Sequence, residues 1–281
     1  RSTLFPYTTL FRSSYQLTVN KRSKDGLTAS EESYRVEAIR YLMSRGYPKE
    51  NFWIEPIIKR YASIDLGINN LATIVNNIGI SPILIKGGYI KAYNRNVNKK
   101  ITNLQSTLKK VNNSHNSKQI NRLWEKRDIF FKNEFGRISN NIIKYLLEND
   151  INTLVVGKNE DWKRGINLGS KNNQNFAYIP FNNLLFMLEY KCAANGIKFI
   201  KVEESYTSKA SFLDNDKIPT FGKDDANIKF SGNRIKRGLY KTKNGILINA
   251  DVNGACNILK KYKNSAFKTQ DTKYLLNVKR M

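Results

Sequence analysis

Three acidic positions, far apart in the sequence, could together do chemistry. Asp65 lies in the apolar run SIDLGINNLAT, where a buried charge is costly unless a cation or another partner offsets it. Asp251 opens the segment NADVNGACNIL, and the pair Glu203 and Glu204 ends the run IKFIKVEE. Carboxylates that converge from separate segments can bind Mg²⁺, which prefers hard oxygen ligands, and two such ions can promote phosphodiester hydrolysis.

Each of these carboxylates also has a purely structural interpretation. Asp65 comes shortly before Gly67, and Asp is common in turns. Asp251 stands where a helix is predicted to begin, a position that Asp fills well as an N-cap. Glu203 and Glu204 fit a solvated acidic pair at a strand end. We prefer the catalytic interpretation, which requires a fold that brings the carboxylates together.

The hydrophobic pattern predicts the elements that would position these residues. Residues 61–77 predict a strand carrying Asp65, a turn at Gly67 and a second strand that completes a hairpin. The remaining predicted elements are a strand around residues 87–88, a helical hairpin over 98–150 with its turn at 112–117, a buried strand over 151–159, a helix over 181–195, the strand IKFIKVEE and a helix over 251–261. Strands that alternate with helices in this order predict an α/β fold with a mixed sheet.

Composition limits the kinds of protein that this chain can be. Its 281 residues contain 48 Lys and Arg against 23 Asp and Glu, a formal net charge of +25 that favours a polyanionic partner such as nucleic acid. The chain lacks the apolar run of roughly 20 residues that a membrane helix requires. One histidine and two cysteines are too few for a disulfide framework or a four-ligand zinc site, so we predict no zinc and a reducing, intracellular setting.

Residues 61–260 resemble the RuvC-like nuclease domain, of the RNase H fold, in the TnpB (OrfB) proteins of insertion sequences. Three segments carry the resemblance: SIDLGINNLAT, the region from VVGKN to YTSK, and INADVNGACNIL. It implies a RuvC-like α/β fold with flanking helices and an inserted helical hairpin. It also implies two Mg²⁺ ions, which Mn²⁺ could replace, guide RNA and target DNA as partners, and a prokaryotic, cytoplasmic protein associated with the nucleoid. Asp65 and Asp251 match the first and third catalytic aspartates of the family.

The second motif departs from the family pattern. Most TnpB proteins end the strand equivalent to LVV with a glutamate, whereas this chain continues with Gly157, Lys158 and Asn159. Glu204, five residues before the lysine of a TSK motif, resembles the relocated glutamate of a TnpB subset and of eukaryotic Fanzor proteins, so we predict Asp65, Glu204 and Asp251 as catalytic residues and Mg²⁺ ligands within shared reach of the metal. Side chains alternate along a strand, so Glu203 should point away from Glu204. The alternatives for the second carboxylate are Glu203, Glu160 and Asp161.

Basic segments provide candidates for nucleic-acid contact. The cysteine pairs of a zinc ribbon, which usually follow TSK in relatives, are missing, and we expect residues 211–248 to form an irregular basic insertion instead. Lysines and arginines interleaved with aromatic residues suit phosphate contact and base stacking, although they also fit a solvated surface. The candidates are Lys109, Lys110, Arg122, Lys126 and Arg127 on the helical hairpin, Lys209, and Arg234, Lys236, Arg237 and Tyr240 in the insertion.

The two ends of the chain carry separate expectations. Residues Leu4 to Ser13, LFPYTTLFRS, match the translation of a common sequencing adapter, so residues 1–13 are excluded from fold reasoning and the natural N-terminus is left open. Residues 14–60 predict a helix and a strand, and 29–60 resemble the N-terminal region of the R subunit of type I restriction enzymes. An assembly chimera and a native divergent segment are both compatible with this. The polar tail after Lys260 is expected to be poorly ordered.

The sequence therefore predicts a truncated TnpB-type RNA-guided DNA endonuclease that hydrolyses phosphodiesters with two metal ions. Because the family's N-terminal domains contact the guide and the target-adjacent motif, we expect this polypeptide to cut poorly by itself. The alternative is a guided DNA- or RNA-binding protein without cleavage, since the usual second glutamate is missing. A conventional transposase or junction resolvase fits less well.

Overall fold

The chain divides into two compact units, Arg1–Lys59 and Arg60–Met281. The computed structural model describes residues 59–158, 179–220, 222, 229–267 and 272–280, together with the backbone of two short strands, β1 (Leu17–Thr18) and β2 (Trp53–Ile54). In the first unit β1 and β2 pair in antiparallel orientation. The helix predicted before residue 46 lies outside the described residues, so the origin of residues 14–60 stays open.

A six-stranded mixed sheet forms the centre of the second unit. Its strands are β3 (Tyr61–Leu66), β4 (Asn70–Asn76), β5 (Ile83–Lys86), β6 (Thr153–Lys158), β7 (Lys198–Glu203) and β11 (Lys279–Arg280), in the order β11-β5-β4-β3-β6-β7. The β3–β4 and β4–β5 pairs are antiparallel, whereas β6 pairs in parallel with both β3 and β7. The predicted α/β fold with a mixed sheet is confirmed.

Helices cover both faces of this sheet because its strands alternate apolar side chains on each side. The helices are α1 (Gly88–Asn112), α2 (Lys118–Glu148), α3 (Phe181–Ala194) and α4 (Ala250–Tyr262). Ala62 and Ile64 of β3 join the core formed with α2 and α3. Ser63 faces the other way, where its hydroxyl donates to the Ala255 carbonyl of α4 at 2.6 Å. Residues 61, 63 and 65 therefore share the face that α4 covers.

The helical hairpin is longer than the sequence predicts. The third strand ends at Lys86, and α1 begins at Gly88, ten residues before the predicted start at residue 98. The first turns of α1 bury Ile90, Asn94 and Val97 at helical spacing. The sequence pattern did not predict this extension because Gly87 and Gly88 were assigned to the strand. The turn lies where predicted, with Ser117 capping α2 by accepting from the Ile120 N–H at 3.2 Å.

The basic insertion is more regular than expected. It contains a three-stranded antiparallel sheet of β8 (Asn233–Lys236), β9 (Leu239–Lys241) and β10 (Leu247–Asn249), in the order β10-β9-β8. Two buried asparagines of α4 hold the loop after the TSK motif. Asn253 bonds the Phe212 N–H and the Ala210 carbonyl, and Asn257 donates to the carbonyls of Thr207 and Ala210. Hydrogen bonds from α4 thus fix this loop.

The segment after α4 folds back onto the sheet, contrary to the expectation of a poorly ordered tail. A 3-10 helix at Thr272–Leu276 precedes β11, which pairs in parallel with β5 at the sheet edge. Leu275 is buried, and the Tyr274 hydroxyl donates to the Asn76 carbonyl at 2.6 Å. Tyr274 and Leu275 stand in an otherwise polar stretch, and this pattern is too weak to predict that the segment packs on the sheet. In the part of the chain that is described, no helix is long and apolar enough to cross a membrane.

Candidate active site

Asp65 lies near the end of the central strand β3, on the face covered by α4. A Cβ atom added to Gly254 of α4 would lie only 2.7 Å from Asp65 Oδ2. The glycine therefore allows the helix backbone to pass directly over the carboxylate, an approach that any side chain would block. This position, between a buried strand and a helix, differs from that of a solvated turn residue.

Glu204 follows the last residue of β7, beside the end of β6. A Cβ atom added to Gly157 of β6 would lie 2.6 Å from Glu204 Oε2 and 2.6 Å from the Cδ1 atom of Ile258. The Glu204 carboxylate thus occupies the space that a side chain at position 157 would enter. Glu204 therefore lies at the end of β6 although it follows the neighbouring strand β7.

Asp251 lies in the first turn of α4, but it is not the N-cap. Asn249 fills that role, since its side-chain oxygen accepts from the N–H groups of Asp251 and Val252 at 2.9 and 3.1 Å. The Asp251 carboxylate instead accepts from Asn70 Nδ2 at 2.7 Å and from the Arg234 guanidinium at 3.3 Å. The capping interpretation of Asp251 is therefore wrong, and its carboxylate faces the same region as β3.

The three carboxylates lie within one another's electrostatic field. Burial raises the pKa of Asp65 well above its ordinary value, and the negative charges of Glu204 and Asp251 raise it further. The positive charge of Arg234 acts in the opposite direction. Since a cation would relieve this repulsion, the site has the charge that a divalent ion requires.

The carboxylates are neighbours without forming a finished ligand set. Among the described residues, no three His, Cys, Asp or Glu side chains are grouped so that they could hold a metal ion as they stand. The described residues therefore do not show the expected convergence within shared metal reach, and Asp251 pairs with Asn70 and Arg234. Carboxylate oxygens nevertheless suit Mg²⁺ or Mn²⁺, and the glycines at 157 and 254 leave the room that two of the carboxylates use.

Among the alternatives for the second carboxylate, the structure describes Glu203. Glu203 forms a salt bridge with Lys261 at 2.6 Å and accepts from the Ser205 N–H at 2.6 Å. Burial raises its pKa, but these hydrogen bonds outweigh burial and the net pKa is lowered. Glu203 is thus held by partners away from Asp65, as the alternation along the strand predicts. Glu160 and Asp161 lie outside the described residues.

Two of the nucleic-acid candidates are buried and do not fit that role. Arg127 is 8% exposed, donates to Asn94 Oδ1 at 2.8 Å, and packs over the ring of Phe131. Tyr240 is fully buried and donates its hydroxyl to the Lys209 carbonyl at 2.8 Å. The pattern of basic and aromatic residues could not separate these packing roles from contact with a ligand. The candidates that remain exposed are Lys109, Lys110, Arg122, Lys126, Lys209, Arg234, Lys236 and Arg237.

Sequence reasoning missed several residues that shape the site. Asn70 bonds Asp251, and the small size of Gly157 and Gly254 admits two carboxylates. A glycine inside a strand or helix is a usable signal, because it often marks a close approach of another group. Asn70 carries no comparable signal, since its contact with Asp251 spans 181 residues of sequence.

Comparisons with known proteins find two matching families and a viral relative. Residues 54–163 match the OrfB_IS605 family, described as a probable transposase, and residues 181–258 match the Cas12f1-like TNB domain. The TnpB-like protein ORF457 of Acidianus two-tailed virus is 27% identical over 216 residues, which are 74% of this chain and 43% of that protein. Residues 54–163 and 181–258 are therefore similar to OrfB-type transposases and to Cas12f1-like proteins, respectively. The chain spans less than half the length of its viral relative.

Two solved structures resemble this chain. The cryo-EM structure of a CRISPR-Cas12f ternary complex has a TM-score of 0.50 and 19% identity, and the match covers 85% of this chain and 50% of that one. The Cas12f1-sgRNA-target DNA complex has a TM-score of 0.49 and 22% identity, over 74% of this chain and 53% of that one. The first likeness supports the fold assigned above.

Proposed function

We propose that this chain is the nuclease part of a TnpB-type RNA-guided DNA endonuclease. The observation that supports the proposal is that Asp65 lies close enough to Glu204 and Asp251, which come from two other segments, for their charges to raise its pKa. These residues would hold two Mg²⁺ ions. When bound, such ions activate a water molecule and stabilise the charge that develops on the phosphate.

The surrounding residues position the carboxylates for this role. Asp65 is held against the backbone of α4 at Gly254, and Glu204 against that of β6 at Gly157. The backbones of α4 and β6 thus restrain the carboxylates of Asp65 and Glu204. A catalytic site requires such restraint. Asn70 and Arg234 hold Asp251, and Arg234 adds a positive charge to the site.

The partners follow from charge and from the named relatives. One of the solved structures that this chain resembles is a complex of Cas12f1 with sgRNA and target DNA. Exposed lysines and arginines on α1 and α2 suit the backbone of a heteroduplex, which such proteins grip without reading its sequence. A polypeptide with these partners would act at the nucleoid of a prokaryotic cell.

Divalent-ion binding by the full chain tests the proposal. We expect calorimetric titration with Mn²⁺ to show two specific sites, and Asp65→Asn to abolish specific binding. The purified chain should cut a guide-matched duplex poorly or not at all, because it spans less than half the length of its viral relative. Absence of specific Mn²⁺ binding by the wild type would refute the nuclease assignment and favour a guided binder without cleavage.

Removing Arg234 is expected to strengthen metal binding. Its guanidinium pairs with Asp251 at 3.3 Å, with 46% and 29% of the two side chains exposed, so the pair is worth at most about 1 kcal/mol. We expect Arg234→Ala to bind Mn²⁺ about two- to fivefold more tightly by calorimetry. Lys236→Ala removes the same charge from the same strand and should change the affinity less. An unchanged or lower affinity in Arg234→Ala would contradict the competition between Arg234 and the ion.

A further inference from the structure

One buried polar group beside the site has no hydrogen bond. Thr73 of β4 is 1% exposed, and its Oγ1 atom has no partner among the residues that the structure describes. Burying a hydroxyl without a partner costs free energy, and native proteins rarely leave one unless it serves another purpose. A valine would fill nearly the same volume without that cost.

Thr73 lies directly opposite Asp65 across the antiparallel β3–β4 pair. Residues paired in this way point to the same face of the sheet, with Cβ atoms roughly 4.5 to 5.5 Å apart. That face is covered by α4, where Ser63 already bonds the Ala255 carbonyl. The Asp65 carboxylate is therefore the acceptor that the register places next to the Thr73 hydroxyl.

We infer that Thr73 is a positioning residue whose hydroxyl donates to the Asp65 carboxylate when that carboxylate binds a divalent cation. An ionised carboxylate only accepts hydrogen bonds, and Thr73 supplies the donor. Gly254 limits the carboxylate from the helix side, and Thr73 orients it from the strand side. The inference deepens the proposed function and rests on it. Removing a group that hydrogen-bonds a metal ligand typically lowers the metal affinity by about 10-fold or more.

Thr73→Val and Thr73→Ser, made in the full chain, test the inference. We expect Thr73→Val to unfold in EDTA at the same temperature as the wild type or higher, because the unpaired hydroxyl is gone. Its Mn²⁺ affinity, measured by calorimetry, should fall about tenfold at the site that contains Asp65. Thr73→Ser keeps the donor and should bind Mn²⁺ within about twofold of the wild type.

Thr153→Val is the matched control, since Thr153 is also buried but begins β6 at the other end of the sheet, where its hydroxyl bonds Asn152. It should leave Mn²⁺ affinity unchanged. Equal affinity of Thr73→Val and wild type would overturn the positioning role while the proposed function stands. An equal loss in Thr73→Val and Thr73→Ser would overturn it as well. Absence of specific binding by the wild type would overturn both.

Discussion

Glu204→Gln is expected to lose one of the two divalent ions that the wild-type chain binds. The substitution keeps the size of the side chain but removes its charge, and Mg²⁺ and Mn²⁺ bind neutral amide oxygens weakly compared with carboxylates. Calorimetric titration of the full chain with Mn²⁺ measures both the number of ions and the affinity. Glu160→Gln removes the alternative carboxylate that lies nearest in sequence to the end of β6. This variant should still bind two ions.

Glu203→Gln is a second control for the same prediction. Glu203 belongs to the salt bridge with Lys261, so its loss should lower stability slightly and leave both ions bound. If Glu204→Gln binds two ions with wild-type affinity, the assignment of Glu204 as the second carboxylate is wrong. A loss of one ion in Glu160→Gln or Glu203→Gln would identify the correct residue.

The close contact between Gly157 and Glu204 allows a second test of whether Glu204 is the second carboxylate. Gly157→Ala places a Cβ atom 2.6 Å from Glu204 Oε2, so we expect it to displace the carboxylate and to weaken Mn²⁺ binding at least tenfold. In the double variant Gly157→Glu with Glu204→Ala, the acidic group lies at the end of β6, the contact with Glu204 is gone, and the end of the Ile258 side chain must shift to make room. This double variant should bind Mn²⁺ more tightly than Glu204→Ala alone. Equal binding by the two would show that the two positions do not serve the same site.

Asp65→Asn is expected to stabilise the fold while it abolishes specific Mn²⁺ binding. Burial and the charges of Glu204 and Asp251 disfavour the ionised form of Asp65, and the amide avoids that cost. We expect the free energy of unfolding at pH 7, measured by urea denaturation in EDTA, to rise by about 1 to 3 kcal/mol. A stabilising substitution at a residue required for metal binding is typical of a site that trades stability for function.

The pH dependence of this gain follows from the raised pKa of Asp65. The folded state holds the proton over a pH range in which the unfolded chain, with a pKa near 3.8, has released it. The favourable contribution of Asp65 is thus fully present below the unfolded pKa and is lost as the pH rises through the folded pKa. The advantage of Asp65→Asn should therefore be small near pH 3 and grow as the pH rises.

Asp150→Asn serves as the control for Asp65→Asn. Asp150 is 73% exposed and pairs with Arg60 at the surface, so its substitution should change the unfolding free energy by at most about 1 kcal/mol. If Asp65→Asn is no more stable than the wild type at pH 7, the carboxylates do not repel one another as the structure indicates.

Local sequence patterns determined the elements of this protein and two of its candidate carboxylates. Alternating and helical periodicities report which side of an element is apolar, which is enough to predict β3, β4, β6, α3 and α4 and an α/β fold. Asp65 and Asp251 could be proposed because each stands in a segment with a recognisable family pattern. None of this requires knowledge of which elements touch.

Contacts between distant segments were decided only by the tertiary structure. Whether Asp251 caps its helix depends on Asn249, and whether Arg127 or Tyr240 is exposed depends on the helices and loops packed around it. These outcomes are not encoded in spacing, because burial of a polar side chain is set by its neighbours in space.

The second carboxylate illustrates the division most clearly. The sequence showed that the glutamate expected after β6 is missing and left four acidic residues as replacements. The parallel pairing of β6 with β7 places Glu204 beside Gly157, and Lys261 binds Glu203. The sequence by itself therefore determined that carboxylates and an α/β sheet are present. The tertiary structure decided where Asp65 and Glu204 lie, because α4 packs against β3, β4, β6 and β7 and the glycines at 254 and 157 admit the two carboxylates.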